Sequence, residues 1–336
     1  MNKINQDNQY LLHPSIDDLA QLPSSFVEAV TRVKTFALLE MEKETERKQL
    51  YYHTCDHVKG VQRKADRIFQ AIRPYWEAGL ENDIAPDYLS RMKQLIDLCA
   101  IAHDMVQEFL PQIQSYTSRR RESGVSEAAT ITKLLDYIKN QNEWISKQTP
   151  NHLALFTDSD LQIITEAINA TICWYDTSDN TIYQPDLYDS DKNLSLVARI
   201  IALADLGTLG MEGIEAFNQE GSLLFLEENP DIIPIILNQD IPYSQAIDKQ
   251  TLYENFRQRL LKRTRFQVNF AKGRMARFAR ELKGLTAEAI SVLNHDVFKY
   301  LNPAIIKVIE VSTPTDNDTN FEELVEFFEL DKYLKN

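Results

Sequence analysis

The stretch Leu95-Ile96-Asp97-Leu98-Cys99-Ala100-Ile101-Ala102-His103-Asp104 constrains this chain more than any other. It is an apolar run at helical spacing that stops on an adjacent histidine and carboxylate. Helices this apolar lie in cores, and polar groups at the inner end of one must be paired, protonated or bound to a metal. A metal is the expectation that the rest of the chain has to support. The dipeptide alone does not carry it, since six histidines are present and a second His-Asp pair stands at His295-Asp296, which is expected to be structural.

Support comes first from upstream. Residues 24–47 carry Phe26, Val27, Val30, Val33, Ala37, Leu38 and Met41 at helical spacing, which predicts an amphipathic packing helix. Tyr51-Tyr52-His53-Thr54-Cys55-Asp56-His57-Val58 then runs into Val61, Ala65, Ile68, Phe69 and Ile72 before Pro74. Read as one helix, it sets His53 and His57 four apart on a single face, with Cβ atoms roughly 5–6 Å apart, so that both imidazoles address one place.

Downstream, residues 107–124 read as a long irregular loop with Pro111 and the triplet Arg119-Arg120-Arg121. Loops of that length inside a compact domain are commonly functional, and three guanidinium groups suit a phosphate through bidentate hydrogen bonds. Plain solvation is the competing reading. Ser126 followed by Glu127 predicts a capped helix start, with Glu127 either a first-turn carboxylate or support for a metal ligand. Ser159-Asp160-Leu161-Gln162 predicts a capping box and a helix through Ile168 to Trp174. Five aspartates in the polar loop 176–193 lack the fixed spacing of a calcium loop. The segment 194–209 is apolar nearly all round and therefore central, yet it holds Asp205. A lone ionised carboxylate there is too costly, so Asp205 is expected to be salt-bridged or a metal ligand.

Nine glycines in 336 residues is about 3%, less than half the usual ~7%. That argues against barrels and glycine-rich Rossmann turns, and leaves an all-α fold. Cys55, Cys99 and Cys173 show no paired spacing, so neither a disulfide framework nor a zinc ribbon is expected, and a reducing cytoplasmic location is. The opening Met1-Asn2-Lys3-Ile4-Asn5-Gln6-Asp7 has no apolar signal core, and no apolar run approaches the ~18 residues of a membrane helix. A net charge of −14 disfavours a nucleic-acid partner.

His57, the adjacent His103-Asp104 and Asp205, in that order on successive helices, resemble the ligand set of the HD-domain superfamily of metal-dependent phosphohydrolases. Tyr52-His53-Thr54-Cys55-Asp56-His57, His103-Asp104 and Ser126-Glu127-Ala128-Ala129 are together similar to the pattern of bacterial predicted HD phosphohydrolases. The Tyr-His-x-x-x-His opening is also similar to that of cyclic-nucleotide phosphodiesterases. The resemblance covers residues 49–213. It implies an HD-domain helical bundle and one divalent metal ion held by His57, His103, Asp104 and Asp205. Two imidazoles and two carboxylates suit Mn, Fe, Co, Ni, Zn or Mg and leave positions for water and substrate. Members often carry a further histidine after an Ala-Thr-x-x element; here Ala170-Thr171-Ile172-Cys173 is followed by Trp174, so a mononuclear site is expected.

The activity this resemblance implies is cleavage of a small phosphomonoester or phosphodiester, a nucleotide among the candidates, by metal-activated water. Asp104 and His53 would be catalytic, His53 protonating the leaving oxygen, with Arg119, Arg120 and Arg121 on the phosphate. The alternative is a metal- or nucleotide-binding regulatory protein without efficient turnover. The expected organisation is an N-terminal helical segment over 1–48, the HD domain over 49–228, and a connector with a C-terminal helical extension and acidic tail over 229–336. Three prolines in 229–242 predict an extended connector. Homo-oligomerisation stays open.

Between residues 253 and 283 ten Lys or Arg face only Glu254 and Glu281, a local +8 that leaves −22 elsewhere. The interleaved Phe256, Phe266, Phe270 and Phe278 would suit a nucleic-acid strand. The acidic body and the tail 310–331, which holds eight Asp or Glu and no Lys or Arg, offer an intramolecular partner instead, and that is the expectation.

Overall fold

Apolar residues at three- and four-residue spacing make helices, and helices that each carry one such stripe have to bury it against one another. The computed structural model describes residues 21–80, 87–189, 192–237 and 249–334. Within these the chain is all-α apart from one two-stranded antiparallel hairpin. The first five helices are α1 (Phe26–Lys48), α2 (Cys55–Ala78), α3 (Tyr88–Ala102), α4 (Val125–Gln148) and α5 (Asp158–Asn169). The hairpin strands β1 (Trp174–Asp176) and β2 (Thr181–Tyr183) come next. Then follow α6 (Leu196–Asp205), α7 (Thr208–Glu212), α8 (Ile214–Glu228), α9 (Ile233–Ile236), α10 (Lys249–Glu281), α11 (Ala287–Val292), α12 (Pro303–Ser312) and α13 (Phe321–Phe327).

Helices α2, α3 and α6 pack pairwise against one another, α1 covers α3, and α5 lies on α6. Val33, Val61, Ile68, Leu98, Ile101 and Ile201 are among the side chains that fill the shared core. Full burial of such a side chain contributes about 1.5–3 kcal/mol, so this core decides where the helices sit. His57 is near the start of α2, His103 caps the end of α3, and Asp205 is the last residue of α6. The three therefore meet at one end of the bundle, where the C-termini of α3 and α6 also present their negative dipole ends.

Several local expectations shift. α2 begins at Cys55, so His53 precedes the helix and does not share a helical face with His57. α4 starts from Gly124, at φ 84°, while the Ser126 hydroxyl accepts the N–H of Glu108 at 2.9 Å instead of capping. The capping box of α5 is Thr157 with Asp160, because Thr157 stands three residues before the carboxylate whose oxygen it exchanges with. Residues 230–236 form a 3-10 turn (Pro230–Ile232) running into α9, since Pro230 and Pro234 fall in first turns, where a missing N–H costs nothing. The end of the expected connector, 238–242, lies outside the described residues.

The C-terminal helices join the body. Leu282, Leu293, Val297 and Phe298 enter the main core, while Phe256 and Leu260 of α10 build a second one with Phe225, Ile232, Leu324 and Phe328. The charges of α10 face neighbours too: Arg259 pairs with Asp231 at 2.8 Å, Lys272 with Glu310 at 2.5 Å, and Arg277 with Asp176 at 3.2 Å and also with Asp179. Gly273 lets the hairpin lie this close, as a Cβ there would sit 2.8 Å from Thr181 Cγ2. His295 and Asp296 are exposed, and His295 Nδ1–H donates to the Ser291 carbonyl at 2.8 Å. Among the described residues no helix is long and apolar enough to cross a membrane.

Candidate metal centre

Where the three helix ends meet, His57 Nε2 lies 3.2 Å from Asp104 Oδ2 and 3.7 Å from Asp205 Oδ1. His103 Nε2 lies 3.0 and 3.4 Å from the same two oxygens. One donor atom from each of the four residues falls within 4.8 Å of the other three. Both Nε2 atoms are buried, and neither makes a hydrogen bond. Close approach without hydrogen-bond alignment is the geometry of donors that surround a common point. Buried polar atoms need partners, and the cluster is compatible with a metal ion as that partner.

The groups behind the four donors fix them. His103 Nδ1 lies 3.0 Å from the Ala100 carbonyl, which can only accept, so Nδ1 carries a proton and Nε2 is the nitrogen turned toward the centre. Gln107 Nε2–H donates to Asp104 Oδ1 at 3.1 Å, and Gln184 Nε2–H donates to Asp205 Oδ2 at 3.1 Å. Each carboxylate thus has one oxygen held by a glutamine amide and the other turned to the imidazoles.

Burial holds the His57 imidazole below its ordinary pKa despite the carboxylate of Asp104. At His103 burial is outweighed by Asp104 and Asp205, and the pKa lies well above the ordinary value. Burial opposes the charge of Asp104 as well, but His103 and His53 hold it well below the usual carboxylate range. A proton on His103 and a divalent cation are alternative ways of neutralising two buried carboxylates, so metal binding would release a proton. Burial, helped by the charges of Asp104 and Asp205, pushes Glu127 up, which puts this first-turn carboxylate within the field of the cluster.

His53 reaches the site by a route that its spacing from His57 does not give. One oxygen of the fully buried Glu227, on α8, accepts the main-chain N–H groups of Tyr51, Tyr52 and His53 at 3.2, 3.0 and 3.0 Å. Those three donors are therefore turned away from helical bonding, and α2 can begin only after them. The other oxygen lies 2.5 Å from His53 Nδ1. His53 Nε2 then lies 3.8 Å from Asp104 Oδ2 and 2.9 Å from Arg121 Nη1. Burial works against ionised Glu227, yet the charges of His53 and Arg121 bring its pKa down to about 2.

The arginine triplet divides. Arg121 Nη1 donates to Gln107 Oε1 at 2.6 Å, which ties it to Asp104 through one amide. Arg119 Nη1 instead donates to the Lys48 carbonyl at 2.7 Å, and Arg120 is exposed. Trp174, in the place of the further histidine, stands 54% exposed on the hairpin. Glu227, Gln107 and Gln184 were not singled out by sequence. For Glu227 a signal existed: Leu223-Leu224-Phe225-Leu226 is an apolar helical run that stops on a carboxylate, as the run before His103 does.

Comparison of the chain with family models, with curated proteins and with solved structures gives no match. What the cluster can do therefore rests on its own chemistry.

Proposed function

We propose that this chain is an HD-type, divalent-metal-dependent phosphohydrolase that cleaves a phosphomonoester or phosphodiester. The observation that carries the reading is the meeting of His57, His103, Asp104 and Asp205 around one point, with two buried imidazole nitrogens lacking any other partner. When bound, a divalent ion supplies Lewis acidity toward water and phosphoryl oxygens. The protein's own groups do the rest. Gln107 and Gln184 keep Asp104 and Asp205 turned to the centre. Arg121, beside Asp104 and anchored on Gln107, takes a phosphate oxygen by charge-assisted hydrogen bonds. Glu227 fixes the ring of His53 through Nδ1. Once a phosphate draws the guanidinium of Arg121 off His53 Nε2, that nitrogen is free to take up a proton from solvent and hand it to the leaving oxygen, returning to its neutral form.

The test is direct. The purified chain is analysed for bound metal, then loaded with Mn, Ni or Co and assayed on an aryl phosphate, a bis-aryl phosphate and a panel of nucleotides. Hydrolysis that is lost with a chelator and lost in His103→Ala is the expected result. Absence of turnover on every substrate, with metal demonstrably bound, would reject the enzyme and leave a binding protein.

A further inference from the structure

The long helix α10 lies outside the stretch that resembles HD domains, yet it holds the hairpin that ends at Gln184. Gln184 follows β2 directly and is 1% exposed, and its amide is the donor that fixes Oδ2 of Asp205 at 3.1 Å. The setting of one carboxylate of the metal centre therefore depends on where β2 sits.

A two-stranded hairpin of three residues a side is marginal in water and takes its position from what it lies on. Trp174 and Tyr175 of β1 are more than half exposed, so the support comes from the other side, and that side is α10. Thr181, which opens β2, is fully buried against Gly273, where a Cβ would fall 2.8 Å from its Cγ2. Ile182 packs on the apolar cluster that contains Phe270 and Ala271 of α10. Arg277, one turn beyond Gly273, joins three points of the hairpin. Its Nη1 reaches the Ile182 carbonyl at 3.4 Å, and its Nη2 pairs with Asp176 at 3.2 Å and with Asp179. The guanidinium also lies over the Tyr183 ring at 5.3 Å. Past Gln184 the chain returns to the same helix, where the Tyr188 hydroxyl donates to Glu281 at 2.5 Å. Gln184 thus stands between two attachments to α10, at Ile182 and at Tyr188. Arg274, three residues before Arg277 and so on the same face, lies in the field of Asp205: burial brings its pKa down to about 10, against the opposing charges of Tyr188 and Asp205.

We propose that Arg277 is a positioning residue for the Asp205 carboxylate, acting through β2 and the amide of Gln184. Without Arg277 the two ends of the hairpin turn, Asp176 and Asp179, lose their common partner, and β2 loses its hold on α10. The Gln184 amide then leaves Oδ2, and a carboxylate free to rotate binds an ion less tightly. The inference rests on the metal centre of the phosphohydrolase reading and gives the C-terminal extension a part in it. A purely structural Arg277 would instead change stability and leave the Gln184 amide, and hence the metal affinity, as they are.

The experiment measures cobalt(II) affinity of the full-length chain by competition with a chromophoric chelator, in wild type, Arg277→Gln, Gln184→Ala and the double variant. Arg265→Gln is the control, because Arg265 ties α10 to the Thr315 carbonyl at 2.9 Å and not to the hairpin. Arg277→Gln should weaken cobalt binding roughly 10–100-fold. The double variant should be no weaker than Gln184→Ala alone, since both changes break one link. Arg265→Gln should bind as the wild type does, whatever its melting temperature. Gly273→Ala, which pushes Thr181 off the helix by one methyl group, should move affinity in the same direction as Arg277→Gln and is the variant read if Arg277→Gln does not fold. A second readout needs no metal. The side-chain amide resonance of Gln184 in the metal-free chain, assigned by its absence from Gln184→Ala, should shift in Arg277→Gln as it does in Asp205→Asn. Wild-type affinity in Arg277→Gln, additive losses in the double variant, or an unmoved amide resonance overturns the proposal. A wild-type chain that binds no cobalt, with the resonance shifting as expected, would reject the metal centre and leave the link from Arg277 to Asp205 standing.

Discussion

Glu227 and His53 stand 174 residues apart in sequence and 2.5 Å apart in space. The same carboxylate accepts three successive main-chain N–H groups, so it sets both the ring of His53 and the entry into α2. Glu227→Ala leaves four donors without a partner in a dry place. Breaking a buried charge pair from one side costs about 3–5 kcal/mol, and urea unfolding should show a loss of that order. A cost below about 1 kcal/mol would mean that the contact is incidental.

The same group makes stability depend on acid. Its folded pKa is about 2 against 4.5 ordinarily: burial opposes the shift, and the charges of His53 and Arg121 prevail. A depressed carboxylate contributes fully above its unfolded pKa and loses that contribution as pH falls through the folded one. Between about pH 4.5 and pH 2 the wild type should therefore lose on the order of 3 kcal/mol through this group. Glu227→Gln should flatten that part of the profile, and an unchanged acid limb in the variant would contradict the assignment.

Asp205 and Gln184 are separable by metal analysis. Asp205 lies against the imidazoles of His57 and His103 and accepts from the Gln184 amide. Asp205→Ala should abolish metal retention with helix content intact, and the metal-free chain should be as stable as the wild type or more so, because a buried charge is removed. Gln184→Ala leaves the ligand but frees its rotation, and affinity should fall roughly 10–100-fold. Competition with a chromophoric chelator measures both; wild-type affinity in Asp205→Ala would dissolve the site.

What the sequence made legible follows from where each signal lives. The helices and the cluster of His57, His103, Asp104 and Asp205 were readable because burial forces a pattern along the chain: Leu95 to Ala102 had to be core, so His103 and Asp104 had to be answered. The helical reading of His53 was mistaken because spacing records what neighbours in sequence do, whereas the turn at 51–53 is dictated by Glu227 from far down the chain. Gln107 and Gln184 left no trace, since an uncharged amide in a loop looks like a solvated one.

The arginine triplet predicts a split in kinetics. Arg121 lies against His53 and Gln107, while Arg119 donates to the Lys48 carbonyl and lies over the Phe109 ring at 5.5 Å. Arg121→Ala should reduce kcat/KM roughly 10–100-fold, the worth of a hydrogen bond to a charged group. Arg119→Ala should cost about 1 kcal/mol of stability with kcat/KM unaltered. The reverse pattern in steady-state kinetics and unfolding would reassign the phosphate contact to Arg119.

The acidic tail is held to the basic helix by more than charge. Lys272 pairs with Glu310 at 2.5 Å, but Arg257 donates to the carbonyls of Asn317 and Thr319 at 2.8 and 2.9 Å, and Arg265 to the Thr315 carbonyl. Beneath them Phe328 is 1% exposed and stacks on Phe225 with ring centres 6.0 Å apart. Phe328→Ala should therefore cost about 3–5 kcal/mol, whereas Glu310→Ala, at an exposed pair, should leave the unfolding midpoint nearly where it is. Removing the chain from Glu310 onward strips apolar cover and frees Arg265 and Lys272, while Arg257 stays paired with Glu254. Affinity for single-stranded DNA should then rise and depend on salt with a logarithmic slope of about −1.4, as two released cations require at roughly −0.7 each. Equal, salt-insensitive binding by the full-length and shortened chains would show that the tail masks no cationic surface, and strong binding by the full-length chain would make nucleic acid a partner in its own right.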